Sequence, residues 1–111
     1  MKIKIYTGLT IDPEQCVLDC LHPKHQLETI KLWIDLKESF ELFTNSDFII
    51  RELNYFITEG KLKVEDVEFY EDGALVEGNE AGFECKSIDE VIEEQNIRCE
   101  ESYYRVKYGN F

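Results

Sequence analysis

"KLKVEDVEFYEDGALVEG", Lys61 to Gly78, decides how the rest of the chain reads. Apolar and charged residues alternate through it, the period of a strand with one buried face. The alternation slips by one residue at Asp66–Val67, which marks a bulge or a break between two segments. Asp72–Gly73 then stands between two alternating runs. Asp-Gly tolerates the positive φ angles of a tight hairpin turn, so an antiparallel hairpin is predicted there.

Working back from the hairpin, "TNSD" supplies a helix cap at Asn45 or Ser46. The predicted helix after it carries Phe48, Ile49, Leu53, Phe56 and Ile57 on one stripe. Gly60 closes it as a left-handed C-cap. Further upstream, apolar residues from Leu27 to Phe43 fill more than half the circumference of a helix begun at Pro23. Asp12 and Pro13 start another helix, predicted to run to about Leu21 before Pro23 interrupts it. "KIKIY", Lys2 to Tyr6, reads as a strand with Ile3 and Ile5 on one face.

Downstream, "GNEAG" is a loop and "FECK" a short strand. Ser87 and Glu90 have capping-box spacing and open a short helix that Asn96 can close. "IRCEESYYRVKY" then finishes as one strand or two, with Tyr103 or Tyr104 facing the core. The expectation is a single α+β domain over residues 1–111. Its sheet is mostly antiparallel with three to five strands, packed against two or three helices, with one short extra helix.

The charge is uneven. The chain has a formal net charge of −12, and residues 64–111 hold 14 acidic against 4 basic side chains. Residues 1–63 hold 10 against 8. Such an acidic surface disfavours nucleic acid and anionic membrane and favours a basic partner. No apolar run resembles a signal peptide or a membrane span, and no lipidation motif is present, so a cytoplasmic protein is expected. In that compartment Cys16, Cys20, Cys85 and Cys99 are expected as free thiols.

"CVLDCLHPKH" places Cys16, Cys20, His22 and His25 within ten residues. Cys16, Cys20 and His25 make a candidate metal-binding module, with His22 nearby. The spacing crowds its ligands into one turn and a break, whereas structural zinc sites draw ligand pairs from separate elements. Core packing of Cys16 and Cys20 is the preferred reading, and likewise for Cys85 and Cys99.

Motifs for catalysis are missing. The six glycines are scattered and form no phosphate loop. No nucleophile elbow occurs, and a calcium loop is not spelled by "EDGALVEGNE". A small enzyme without a recognisable motif is the remaining catalytic alternative; no cofactor is implied. The favoured expectation is a non-catalytic module that docks on a basic protein surface through Glu68, Glu71, Asp72, Glu90, Glu93 and Glu94. A sharper form is inhibition of a nucleic-acid-binding protein by charge mimicry, by analogy of size and charge with anti-restriction and anti-CRISPR proteins of phages. A net of −12 equals roughly 20 Å of duplex. Tyr103, Tyr104 and Tyr108 with Arg105 and Lys107 resemble a stacking platform, but few cations support direct nucleic-acid binding. The terminal "RVKYGNF" is a candidate edge strand for homodimer formation.

Overall fold

The strand of Ile3–Thr7 (β1) lies at the centre of a four-stranded sheet. Its alternation sets two faces: Ile3, Ile5 and Thr7 are buried, while Lys4 and Tyr6 point the other way and are only half-buried. Phe40–Phe43 (β2) and Val67–Glu71 (β3) both pair with β1, and both pairings are parallel. Ala74–Val76 (β4) adds to β3 as the antiparallel arm of the hairpin, giving the order β2-β1-β3-β4. This computed structural model describes residues 1–109; Asn110 and Phe111, which belong to the expected 1–111 domain and edge strand, lie outside the described residues.

The molecule is thus a single α+β domain, but its sheet is mixed rather than mostly antiparallel. Parallel neighbours need a crossover, and the chain has two. Helix α1 (Pro23–Asp35) carries it from β1 to β2, and helix α2 (Asp47–Thr58) carries it from β2 to β3. Only the hairpin signal speaks for antiparallel pairing, and it holds: Asp72 and Gly73 have φ of 50° and 83°. Both central residues are left-handed, as a type I′ turn demands. The slip at Asp66–Val67 is a break, a single 3-10 turn at Val64–Asp66 before β3 begins.

Helices α1 and α2 pack together over one face of the sheet. Ile30 and Ile34 of α1 meet Ile49, Ile50, Leu53, Phe56 and Ile57 of α2 above Ile3, Ile5, Leu42, Val67 and Phe69. The α2 expectation survives nearly whole; Phe48 is exposed rather than on the stripe. Gly60, at φ 75°, ends α2 with paired bonds from Gly60 N to Ile57 O and from Lys61 N to Phe56 O.

Three of the expected helices differ in extent. The helix from Pro23 stops at Asp35 instead of reaching Phe43. Lys37 takes φ 55° there, and its N–H and that of Glu38 bond back to Ile34 and Trp33. Four residues, Phe40–Phe43, fit a strand and a helix face equally well. Contact of Phe40 with Trp33, ring centroids 4.9 Å apart, is made by folding back rather than by two more helical turns. The helix expected over 13–21 is only a 3-10 turn, Pro13–Gln15, capped by Asp12 Oδ1. Cys16 and Leu18 are the residues buried there, a two-residue spacing that no helix face offers.

The third difference is the largest. Lys86–Tyr108 is one continuous helix of 23 residues (α3), not a short helix followed by strands. Asn96 does not interrupt it, and no Gly or Pro lies within it. Glu94–Arg98 and Glu101–Arg105 have the four-residue spacing and the order that favour helix. Acids gather toward its start and bases toward its end, in line with the helix dipole. "FECK" is not a strand either; Phe83 is held through its backbone by Asn54, whose Oδ1 accepts from Phe83 N and whose Nδ2 donates to Phe83 O, each at 2.9 Å.

Candidate functional site

Nothing in α3 is buried. Its first two turns rest on the body through Ile88 and Ile92, and from Glu93 to Gly109 every residue is exposed. The extents of 55 × 28 × 27 Å and a radius of gyration of 16.3 Å describe a body with an arm. A compact chain of this length has a radius of about 13 Å. Tyr103 and Tyr104 therefore do not enter the core, and Cys99 is exposed while Cys85 is buried.

The six expected contact carboxylates part into two groups. Glu90, Glu93 and Glu94 stand exposed on α3. The other three already have intramolecular partners. Glu68 lies 3.8 Å from the ammonium of Lys4. Glu71 accepts the backbone N–H of Ser87 at 2.8 Å. Asp72 accepts from both the N–H and the hydroxyl of Thr10. Those two bonds hold the Asp72 carboxyl below the usual carboxylate range, the backbone N–H contributing most. The capping box expected from Ser87 and Glu90 is replaced by Glu71, which reaches α3 from the end of β3.

The cysteine–histidine stretch disperses. Cys16 is buried, and burial followed by the nearby Asp19 carboxylate pushes its thiol pKa up. Cys20 is exposed, contrary to the packing expectation, and its thiol donates to Val17 O. His22 caps α1 by accepting the Lys24 N–H at Nδ1, and His25 pairs with Glu28. Among the described residues no three His, Cys, Asp or Glu side chains converge as a metal site would require.

At the carboxyl ends of the parallel strands a polar network ties three loops together. Asn45 exchanges hydrogen bonds with Gly8 in both directions, while Asp19 accepts from Thr44 Oγ1 and Asn45 N. Gln26 spans Asp19 O, Leu21 O and Ser46 Oγ. No buried side-chain donor or acceptor among the described residues lacks a partner, so the network is a clasp in which every group is satisfied.

The sheet face away from α1 and α2 was missed by sequence reasoning. Tyr6 stacks on Phe43 of β2 at 4.7 Å and on Tyr70 of β3 at 5.2 Å. Leu75 continues this row onto β4, opposite Tyr70 and 62% exposed. The adjacent row is Glu41, Lys4 and Glu68, the lysine 3.8 Å from each carboxylate. The signal lay in "KIKIY", "FELF" and "VEFYE": each has a charge and then an aromatic at its outward positions. In-register parallel pairing is what aligns them.

The chain matches no protein family, no curated protein and no solved structure. Among the described residues no helix is long and apolar enough to cross a membrane.

Proposed function

We propose that the chain is a non-catalytic, cytoplasmic interaction module that presents the acidic side of α3 to a basic protein surface. The observation that carries this reading is the exposure of Glu90, Glu93 and Glu94 on a helix that buries nothing in its own fold. A helix gains most of its stability from packing, so an arm of this length without a surface to lie on is an element kept for a contact outside its own fold.

Charge spacing supports the narrower form, inhibition of a nucleic-acid-binding protein. From Asp89 to Glu101 the helix rises about 18 Å and carries six carboxylates against Arg98. That is roughly one net negative charge per 3.6 Å, near the 3.4 Å spacing along one strand of DNA and half the density of a duplex. The partner's complement is a cationic groove that follows a single phosphate backbone.

The test is retention of proteins from nuclease-treated host lysate by immobilised wild-type chain and by a Glu90→Lys, Glu93→Lys, Glu94→Lys variant. A basic nucleic-acid-binding protein should be held at low salt by the wild type, released at high salt and lost from the variant. Equal retention by both chains overturns the assignment of these carboxylates. Absence of any basic protein at low salt overturns the docking reading itself.

A further inference from the structure

Among the described residues two surfaces are unpartnered, and their charges are complementary. The first is the outer face of the sheet. Strands in parallel pairing are ordinarily covered on both faces, because crossovers place helices there. Among the described residues β2, β1 and β3 are covered on one face only, and the row of Phe43, Tyr6, Tyr70 and Leu75 lies open on the other. Its charged border has Glu41 and Glu68 around Lys4, with Lys2 at the same parity as Lys4 and Glu77 at the same parity as Leu75, so three carboxylates against two lysines leave it net negative.

The second is the distal half of α3. At about 100° per residue, Arg98, Cys99, Ser102, Tyr103, Arg105 and Val106 share one side of the helix. That side holds no carboxylate. Glu93, Glu94, Glu100 and Glu101 all project from the other. Tyr103 and Val106 are 54% and 86% exposed. The distal helix is therefore apolar and cationic, without a carboxylate, on one side, while the other carries the carboxylates together with Ile97, Tyr104, Lys107 and Tyr108.

We infer that the Arg98–Val106 side of α3 docks on the open sheet face of a second copy of this chain. A two-fold axis makes the contact twice, each copy giving its helix and receiving its partner's. Arg98 and Arg105 meet the border of Glu41 and Glu68, two exposed carboxylates that share the single ammonium of Lys4 and so keep a net negative charge, and Tyr103 and Val106 cover the row of Tyr6 and Tyr70. This is a helix-on-sheet contact and not the edge-strand pairing expected from "RVKYGNF", whose residues Arg105 to Tyr108 are helical. It uses none of Glu90, Glu93 and Glu94, so it stands or falls separately from the docking of a basic partner.

The test is a charge exchange read by sedimentation equilibrium, with scattering for shape. One variant carries Glu41→Lys and Glu68→Lys, the other Arg98→Glu and Arg105→Glu. The wild type should dimerise, and each variant alone should lose at least about tenfold in dimer affinity. An equimolar mixture should recover it, because in the mixed dimer both contacts are again oppositely charged. Leu75→Lys, at an exposed position, weakens the dimer independently if Glu41→Lys and Glu68→Lys disturb the sheet. A wild type that stays monomeric to about 100 µM with a radius near 16.3 Å overturns the inference. A monomer with a radius near 13 Å also overturns it, since α3 then lies on its own sheet. So does a dimer that neither reversal weakens.

Discussion

Glu71, at the end of β3, holds the start of α3: its Oε1 accepts the N–H of Ser87 at 2.8 Å, across 16 residues of sequence. Cys85, at the N-cap position, provides no side-chain cap, so this carboxylate takes that role from another element. Glu71→Ala should cost about 1 kcal/mol of stability, measured by denaturant midpoint. Glu71→Gln keeps an acceptor and loses only the charge at the helix start, so about half of that cost is expected. Amide exchange at Ser87 should quicken in the alanine variant before exchange in α2 does.

Lys37 is the counterpart at the end of α1. It sits at φ 55°, in the left-handed position that most helices give to glycine. The two back-bonds to Ile34 and Trp33 need that conformation. Lys37→Gly should raise stability by about 1 kcal/mol, seen as a higher melting temperature with unchanged association.

Asp72 links the hairpin tip to Thr10, and its carboxyl pKa lies below the ordinary range because both bonds favour the ionised form. A depressed folded pKa stabilises the fold above the unfolded value, and that contribution is lost as pH falls through the folded one. The loss should therefore occur below about pH 4. Thr10→Val removes the hydroxyl bond and should move the Asp72 titration, followed by carboxyl NMR, back toward the ordinary value. An unmoved titration would refute the hydroxyl's part in the shift.

The four thiols should divide two and two. Cys20 and Cys99 are exposed, whereas Cys16 and Cys85 are buried. A neutral alkylating reagent should add two groups quickly to the native chain and four after denaturation, counted by mass spectrometry. Cys16 should be the slower still at mildly alkaline pH, because burial and Asp19 keep it protonated.

Part of the candidate site was legible because it is compositional. The carboxylates of Glu90, Glu93 and Glu94 flank Val91 and Ile92, and any helix there puts some of them in solvent. The commitments of Glu71 and Asp72 were not legible, since their partners, Ser87 and Thr10, lie 16 and 62 residues away. Core packing, the reading preferred for the cysteine–histidine stretch, fits Cys16 and fails for Cys20, because the segment is turns instead of a helix with one buried face.

The sequence by itself determined what local chemistry controls: the two-residue period of β1, the left-handed Asp72–Gly73 turn, the stripe and glycine stop of α2, and the acidic bias of the second half. The tertiary structure alone decided the parallel pairing of β2, β1 and β3, because a strand's alternation shows which face is buried but not which neighbour it meets. It also decided where α1 ends, since four residues at Phe40–Phe43 satisfy both periods until Trp33 and the edge of β1 select the strand. And it left α3 bare. A helix whose second half packs against nothing in its own fold has no buried stripe there to announce it, which is why that half reads as strand.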